Sequence, residues 1–418
     1  MKTLKTKFLL LVVFMLINAT YLSAIDPVGV ITISGVVKDQ QSKKTIENVS
    51  VSVLGTNIGT VTNADGVFTI KLSDSLQASN IEFVHIGYSN KRIPIEHNVS
   101  GIVVSLSPNA IVLNEASILS GNAAKLVEEA LRRVGENYSD RPNLLTGFYR
   151  ETVQKRRTYI GVSEAIIDIY KRPYNEEMGI DRERVQINKG RRLISQKASD
   201  TIAVKLQGGP NNSIYFDFVK NPDLILNLNM LSEYHFKITG NVMINEREHY
   251  AVDFTPAVIR PIPLYKGTLY IDKATLCFSR AEFSMDMKDE DKATQAILQK
   301  KPRGLRFSPE EVSFLVSYRE QDGKSYISYV RNNLKFKCDW KRKLFRTNYA
   351  VVSEMVVIDG KKENVTAIPY RQSFHSYQAF SDKVSDFLDA DFWQNYNIIE
   401  PTESLELAVN KLRKQREK

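Results

Sequence analysis

From residue 31 onward, apolar side chains recur in short runs broken by turn residues. Val49, Val51 and Val53 alternate with Ser50 and Ser52, which gives one face toward a core and one toward water. Residues 31–37, 67–70, 81–86, 93–95 and 102–106 read as further short strands. The cluster Asn63-Ala64-Asp65-Gly66 marks a tight reversal ended by Gly66, after which Phe68 delivers an aromatic ring to the interior. Strands at this spacing predict an antiparallel β-sandwich over residues 31–107.

The pattern then changes. Residues 108–121 read as a connector. Over 122–138 the apolar positions Leu126, Val127, Ala130, Leu131 and Val134 share one helical face, and Glu129 with Arg133 supports the helix from outside. From residue 143 period two returns in longer runs, at 143–152, 159–170, 234–243, 249–254, 266–271, 275–287, 312–319, 325–340 and 347–358. Asp322-Gly323 between two of these is a hairpin signal. Long sequential strands joined by short turns predict a curved antiparallel sheet with a few helices, within a β-rich part spanning 122–400. A short helical piece is expected around Val384, Phe387 and Leu388, docked by Phe392 and Trp393. Leu405, Ala408, Val409 and Leu412 outline a last, basic helix within 401–418. The fold class is therefore mainly β, a small sandwich followed by a larger sheet.

Two resemblances add to this reading. Gly35-Val36-Val37, Asn48 to Val53 with Gly55, Gly59-Thr60, Asp65-Gly66 with Phe68, and Gly87-Tyr88 together resemble the carboxypeptidase-regulatory-like domain. That implies a transthyretin-like sandwich in which Gly35, Gly55, Gly59, Asp65, Gly66, Phe68, Gly87 and Tyr88 serve structure. In that family the module accompanies enzymes or outer-membrane transporters without performing their chemistry. Glu47 departs from the Pro found in many members. Further on, Lys266 to Asp272 followed by Phe278 to Phe283 resembles a strand pair of the lipoprotein-carrier half-barrels, which implies a curved sheet around an apolar cavity. The order of sandwich, helix and Gly147-Phe148-Tyr149-Arg150-Glu151 resembles two-part envelope proteins.

The first residues change the compartment. Lys2, Lys5 and Lys7 precede an apolar run, and Leu22-Ser23-Ala24 offers a cleavage site, so residues 1–24 read as a secretory signal peptide. The run is short for a membrane span, and no later stretch is apolar enough to cross as a helix. Loss of the three lysines lowers the formal charge from +9 to +6. Export and the dispersed charge argue against nucleic acid as a partner. In an oxidising compartment the two cysteines, Cys277 and Cys338, form either a disulfide or two buried thiols.

Candidate chemistry is sparse. None of the five histidines, His85, His97, His235, His249 and His375, belongs to an H-E-x-x-H pattern, so a zinc carboxypeptidase lacks its ligands. No nucleophile elbow, Walker loop or dinucleotide fingerprint occurs. Gly208 to Asn212 reads as a loop. The acidic run Asp286, Asp289, Glu290 and Asp291 lacks calcium-loop spacing and reads as a solvated turn. Glu164 and Asp168 fall on one face of a strand, expected to be wet. Asp74-Ser75-Leu76 and Asp200-Thr201-Ile202 resemble short O-glycan acceptor triplets. The expectation is an exported, non-catalytic envelope protein of the periplasm or outer membrane. Its binding or assembly role would involve an envelope protein or a lipid or lipoprotein ligand, with no cofactor and no metal. The alternative is an envelope hydrolase of glycans or peptides, with carboxylates gathered from distant strands.

Overall fold

The computed structural model describes residues 29–76, 78–109, 120–176, 183–200, 204–206, 208–341, 346–386 and 392–416. The signal segment 1–24 and most of the 108–121 connector lie outside these, as do Thr201 and Ile202 of the second glycan triplet.

Seven strands come first: β1 (Val30–Asp39), β2 (Ser50–Val53), β3 (Gly59–Val61), β4 (Val67–Ser73), β5 (Asn80–Val84), β6 (Lys91–Pro94) and β7 (Val99–Leu106). They form two sheets, ordered β4-β1-β7 and β3-β2-β5-β6. The alternating valines and isoleucines fill the space between them, with Ile33, Val37, Val51, Ile70 and Val104 buried. Phe68 and Phe83 meet edge to face at 5.1 Å between ring centroids. The sandwich is not antiparallel throughout as expected, because β7 runs parallel to β1. It presses so close that a side chain at Gly35 would sit 2.1 Å from the Ile102 carbonyl oxygen. Gly66 takes a φ of +73°, and the Asn63 carboxamide oxygen holds the turn by accepting from the Asp65 and Val67 amides at 2.9 Å each. The Tyr88 hydroxyl donates to Asp39 at 2.8 Å and ties the end of the module to its first strand.

Helix α1 (Ser120–Arg132) follows, shorter than the pattern predicts. It breaks at Arg133, and a single turn, Val134–Asn137, completes the segment. The large sheet comprises β8 (Asn143–Lys155), β9 (Thr158–Lys171), β10 (Arg184–Ile194), then β12 (Tyr234–Ile244), β13 (Arg247–Pro256), β14 (Tyr265–Asp272), β15 (Phe278–Met285), β17 (Leu305–Gln321), β18 (Lys324–Trp340) and β19 (Thr347–Lys361). The missing numbers belong to β11 (Lys205–Leu206) and β16 (Leu298–Lys300), which pair with each other. The large sheet is open and runs β12-β13-β14-β15-β17-β18-β19-β8-β9-β10, antiparallel throughout. Two residues of β20 (Ser385–Asp386) are added in parallel at one edge. β8 therefore pairs with β19, the last long strand made. Asp322 and Gly323 both take positive φ in the β17–β18 hairpin, as the Asp-Gly signal implies.

Four local expectations are corrected. Strand β10 was not expected, because its arginines and lysine mask the alternation of Val185 and Leu193. Pro210–Tyr215, after the Gly208-Gly209 pair, is a short helix with proline in its first turn rather than a loop. Glu290–Ile297 is helix α2, whose first amides are capped by Asp289, rather than a solvated turn. The helix expected around Val384 is instead a 3₁₀ turn (Phe380–Asp382) followed by β20, with Phe387 and Leu388 outside the described residues. The last helix, α3, spans Glu403–Arg416.

The two faces of the large sheet are covered differently. The inner face packs on α1 through Ala123, Val127 and Ala130, and on a plug formed by Ile214, Phe216, Phe218, Ile225 and Leu226. Phe216 lies against Phe314 of β17 at 3.8 Å between centroids. The outer face carries the sandwich.

Candidate functional site

The sandwich is seated on the outer face through a separate apolar cluster. Val61 of β3 meets Phe148, Ile166, Tyr329, Val356 and Ile358 from the large sheet. The C-terminal strap, residues 392–402, threads between the two and supplies Trp393 and Ile399 to the same cluster. Asn397 exchanges two hydrogen bonds with the Lys71 backbone at 2.7 and 3.0 Å, as a neighbouring strand would. Thr60 donates to the Ile398 carbonyl at 2.8 Å, and Asn63 to that of Pro401 at 3.0 Å. Asp65 accepts from the Glu403 amide at 2.7 Å, so the sandwich caps the first turn of α3. Several residues read from sequence as internal to the sandwich thus join the two parts. The Gly87 amide likewise donates to the Met243 carbonyl of β12 at 2.9 Å.

Between sandwich and sheet lies a cleft of about 320 Å³. β2, β3 and β5 form one wall, and β13, β15, β17 and β18 the other. The β17 side chain Arg319 enters from the sheet side. Its Nη2 donates to the Asn57 carbonyl at 2.7 Å. Gly59 faces it, and any side chain there would come within 2.6 Å of Nη1, so this motif glycine leaves room for a cation of the other part. Among the described residues no carboxylate lies within 4 Å of Arg319. Burial pulls its pKa down to about 10, against the pull of Asp359. Arg247 spans Asp272 at 2.9 Å and Glu320 at 2.6 Å. His85 also lines the cleft, and burial, aided by nearby Arg280, lowers its pKa to about 4.

One contact in the cleft has catalytic geometry. His249 Nδ1 lies 2.9 Å from the Arg247 carbonyl and Nε2 lies 2.8 Å from the Ser279 hydroxyl. The carbonyl accepts only from a protonated Nδ1, which leaves Nε2 to receive the serine proton. Burial keeps the imidazole below its ordinary pKa and therefore neutral at pH 7. Ser279 is the unpaired residue where the β14–β15 register slips between Tyr270 and Ile271, and bulges of this kind re-aim side chains. Asp272 Oδ2 stands 3.8 Å from Nε2.

Two buried carboxylates, Glu164 and Asp217, are not among the residues lining this cleft. Glu164 lies beneath the strap, 2.6 Å from Arg150 and 2.8 Å from Arg191. Burial raises its pKa, and the two guanidinium groups outweigh that and hold it below the usual value. The face expected to be wet at Glu164 is buried because the sandwich and strap cover it. Asp217 belongs to the inner face. It takes an ion pair from Lys171 at 2.7 Å and hydroxyls from Tyr174 at 2.8 Å and Tyr318 at 2.7 Å. Among the described residues no group of three His, Cys, Asp or Glu side chains is placed to hold a metal ion.

Cys277 and Cys338 are free, buried thiols. Cys277 contacts Ser325 at the start of β18, whereas Cys338 lies near that strand's other end. Thirteen strand positions separate Ser325 from Cys338, about 40 Å at the usual rise, which no disulfide spans. Sequence reasoning passed over Arg319 and Ser279 and weighed His249 only as one of five histidines without a zinc-ligand pattern. No local motif marks them, because the cleft forms only when residues more than two hundred positions apart meet. A larger groove, about 610 Å³, opens between edge strands β6 and β7, but its titratable side chains Lys91, Glu96 and His97 are exposed.

Comparison with known proteins gives the following. The model of the CarboxypepD_reg-like domain family matches residues 33–118. Among curated proteins none matches the sequence. A solved DUF1329 family protein from Desulfovibrio piger is similar at 12% identity, with a TM-score of 0.26, over 59% of this chain and 95% of that one. A LolA superfamily protein from Nitrosomonas europaea is similar at 11% identity, with a TM-score of 0.22, over 61% of this chain and 99% of that one.

Proposed function

We propose that the protein is an exported, non-catalytic binding protein of the bacterial envelope, resident in the periplasm or at the outer membrane. Its partner, an envelope protein or a lipid or lipoprotein, presents an anionic group to the cleft between sandwich and sheet. Arg319 carries this reading. A guanidinium with no carboxylate within 4 Å among the described residues, held in a partly buried cleft by a single carbonyl, retains donors for a ligand carboxylate or phosphate. The cleft volume falls in the range of small-ligand sites. The inner face supports a carrier role only if the 214–226 plug leaves, because its side chains occupy the space an acyl chain would need.

The test is non-denaturing extraction from the envelope, with mass spectrometry of what co-purifies, for native protein and Arg319→Gln. A stoichiometric anionic partner that is lost in the variant, with the thermal melt unchanged, supports the reading. Native protein recovered without a partner overturns it.

The Ser279–His249 contact favours a second reading, the hydrolase. Ser279 Oγ would attack an acyl carbon, His249 would take its proton, and the leaving group would depart protonated. Labelling of Ser279 by a fluorophosphonate, abolished in His249→Gln, would replace the binding reading with this one.

A further inference from the structure

The rim of the large sheet farthest from the β12–β13 turn has its own character. Antiparallel pairing places the end of β13, the start of β14, the ends of β15, β18 and β8, and the start of β9 on this rim. The sandwich instead reaches the opposite rim, where Asn90 contacts Asn245 and Asn57 contacts Gly360.

The β13–β14 loop, residues 257–264, projects from the far rim. Ile259 is 91% exposed and Ile262 60%, and Val258 beside them is 41% exposed. The loop does not fold back to hide them. Arg260 Nε donates to Glu233 at 2.9 Å and the Ala257 amide donates to the Glu233 carbonyl at 2.7 Å, which pins the base. Pro261 and Pro263 stiffen the tip. Leu228, 44% exposed, belongs to the 3₁₀ turn Leu228–Glu233 that anchors the loop.

The same rim carries cations along its length. Arg156, Arg157, Lys300, Arg303, Arg306 and Lys341 are exposed, and among the described residues none has a carboxylate within 4 Å. Of the rim's acidic residues, Asp289 caps α2 and pairs with Lys292 at 3.1 Å and Asp339 pairs with Arg346 at 3.2 Å, whereas Glu290 and Asp291 are exposed, so the cations named outnumber the open carboxylates here. Isoleucines held out in water on a stiff loop, on a rim that also carries unpaired cations, have the composition of an interfacial anchor. A surface for nucleic acid has the cations but no use for exposed isoleucine.

We infer that this rim docks on an anionic lipid bilayer, with the 257–264 loop entering the head-group region and the rim cations facing lipid phosphates. The test is co-sedimentation of the chain, in the form cells deliver and with its N-terminus read by mass spectrometry. The vesicles are phosphatidylglycerol mixed with phosphatidylcholine, and phosphatidylcholine alone. Binding to the anionic vesicles is expected, weakened by added salt. It falls about tenfold or more for the double variant Ile259→Asp, Ile262→Asp, and also for Arg303→Glu, Arg306→Glu. All four positions are exposed, so unchanged melts check that folding is intact. Arg319→Gln, in the cleft, must bind vesicles as the native chain does. Native protein that stays in solution with both vesicle types, variants that sediment like the native chain, or a rim that retains DNA and ignores vesicles would each overturn the inference.

Discussion

The inner and outer faces of the large sheet each bury an ionic cluster, and the two clusters differ in what they hold. On the inner face, Asp217 gathers Lys171, Tyr174 and Tyr318 from strands and turns of the same β-rich part. Burial lifts both tyrosines well above their ordinary pKa, with Asp217 adding to it, so the hydroxyls stay protonated as donors. On the outer face, Glu164 binds Arg150 and Arg191, and Arg150 Nη2 passes on to the Ile399 carbonyl at 2.7 Å. Arg191 also stacks over Trp393 at 4.7 Å. The inner cluster fixes a core, whereas the outer one is a joint between strap and sheet. Desolvating charge is costly wherever it occurs, but only the outer cluster links separately formed pieces.

The largest expected effect comes from breaking the inner cluster. Asp217→Ala strands two tyrosine hydroxyls in the interior and leaves Lys171 with Glu183 alone, 2.9 Å away, and should cost about 3–5 kcal/mol in urea denaturation. Glu164→Ala should cost about 3 kcal/mol, because Arg191 keeps its aromatic contact. It should also expose the strap to proteolysis under native conditions, which Asp217→Ala should not. Equal protection of the strap in both variants would erase the distinction between core and joint.

Acid sharpens the comparison at the cleft. In the folded chain His85 stays neutral down to about pH 4, whereas unfolded histidine takes its proton near 6.5. Between those values the unfolded state binds more protons. The His85 contribution is therefore intact above pH 6.5 and is lost as pH falls toward 4. Melting temperature should drop across that window in native protein, and less in His85→Gln. The smallest effect is Asp65→Ala, which removes the cap from the Glu403 amide and should cost about 1 kcal/mol. Hydrogen exchange should show it at the start of α3 while the sandwich amides remain protected.

Legibility in the sequence followed locality. The Asn63–Gly66 turn and the Asp322-Gly323 hairpin depend on neighbours in the chain and appear as the residues imply, and the Val49–Val53 alternation puts its valines in the core, although Ser52, expected toward water, is buried where it lines the cleft. β10 was hidden because an edge-proximal strand with Arg184, Lys189, Arg191 and Arg192 presents charge where alternation is sought. The same holds for Glu164. A carboxylate among strand residues reads as solvated until two arginines and a covering strap are placed around it. Gly59 shows the limit most directly. Its motif is visible in the chain, but the side chain it admits, Arg319, lies 260 residues further on. The Ser279 bulge has no local signature, since a register slip depends on both partner strands.

The strap also dictates an order of events during synthesis. β8 emerges early, yet its second neighbour, β19, is completed only at Lys361. Until then one edge of β8 offers unpaired amides and carbonyls to any passing chain. Trp393 and Ile399 arrive later still, so Phe148, Ile166 and Val61 remain uncovered until residue 399 has emerged. A growing chain would carry a folded sandwich and a sticky, half-built sheet until those residues are made. Truncation before residue 392 would leave that surface permanently bare, and an aggregating product is the expected result even though every long strand is present.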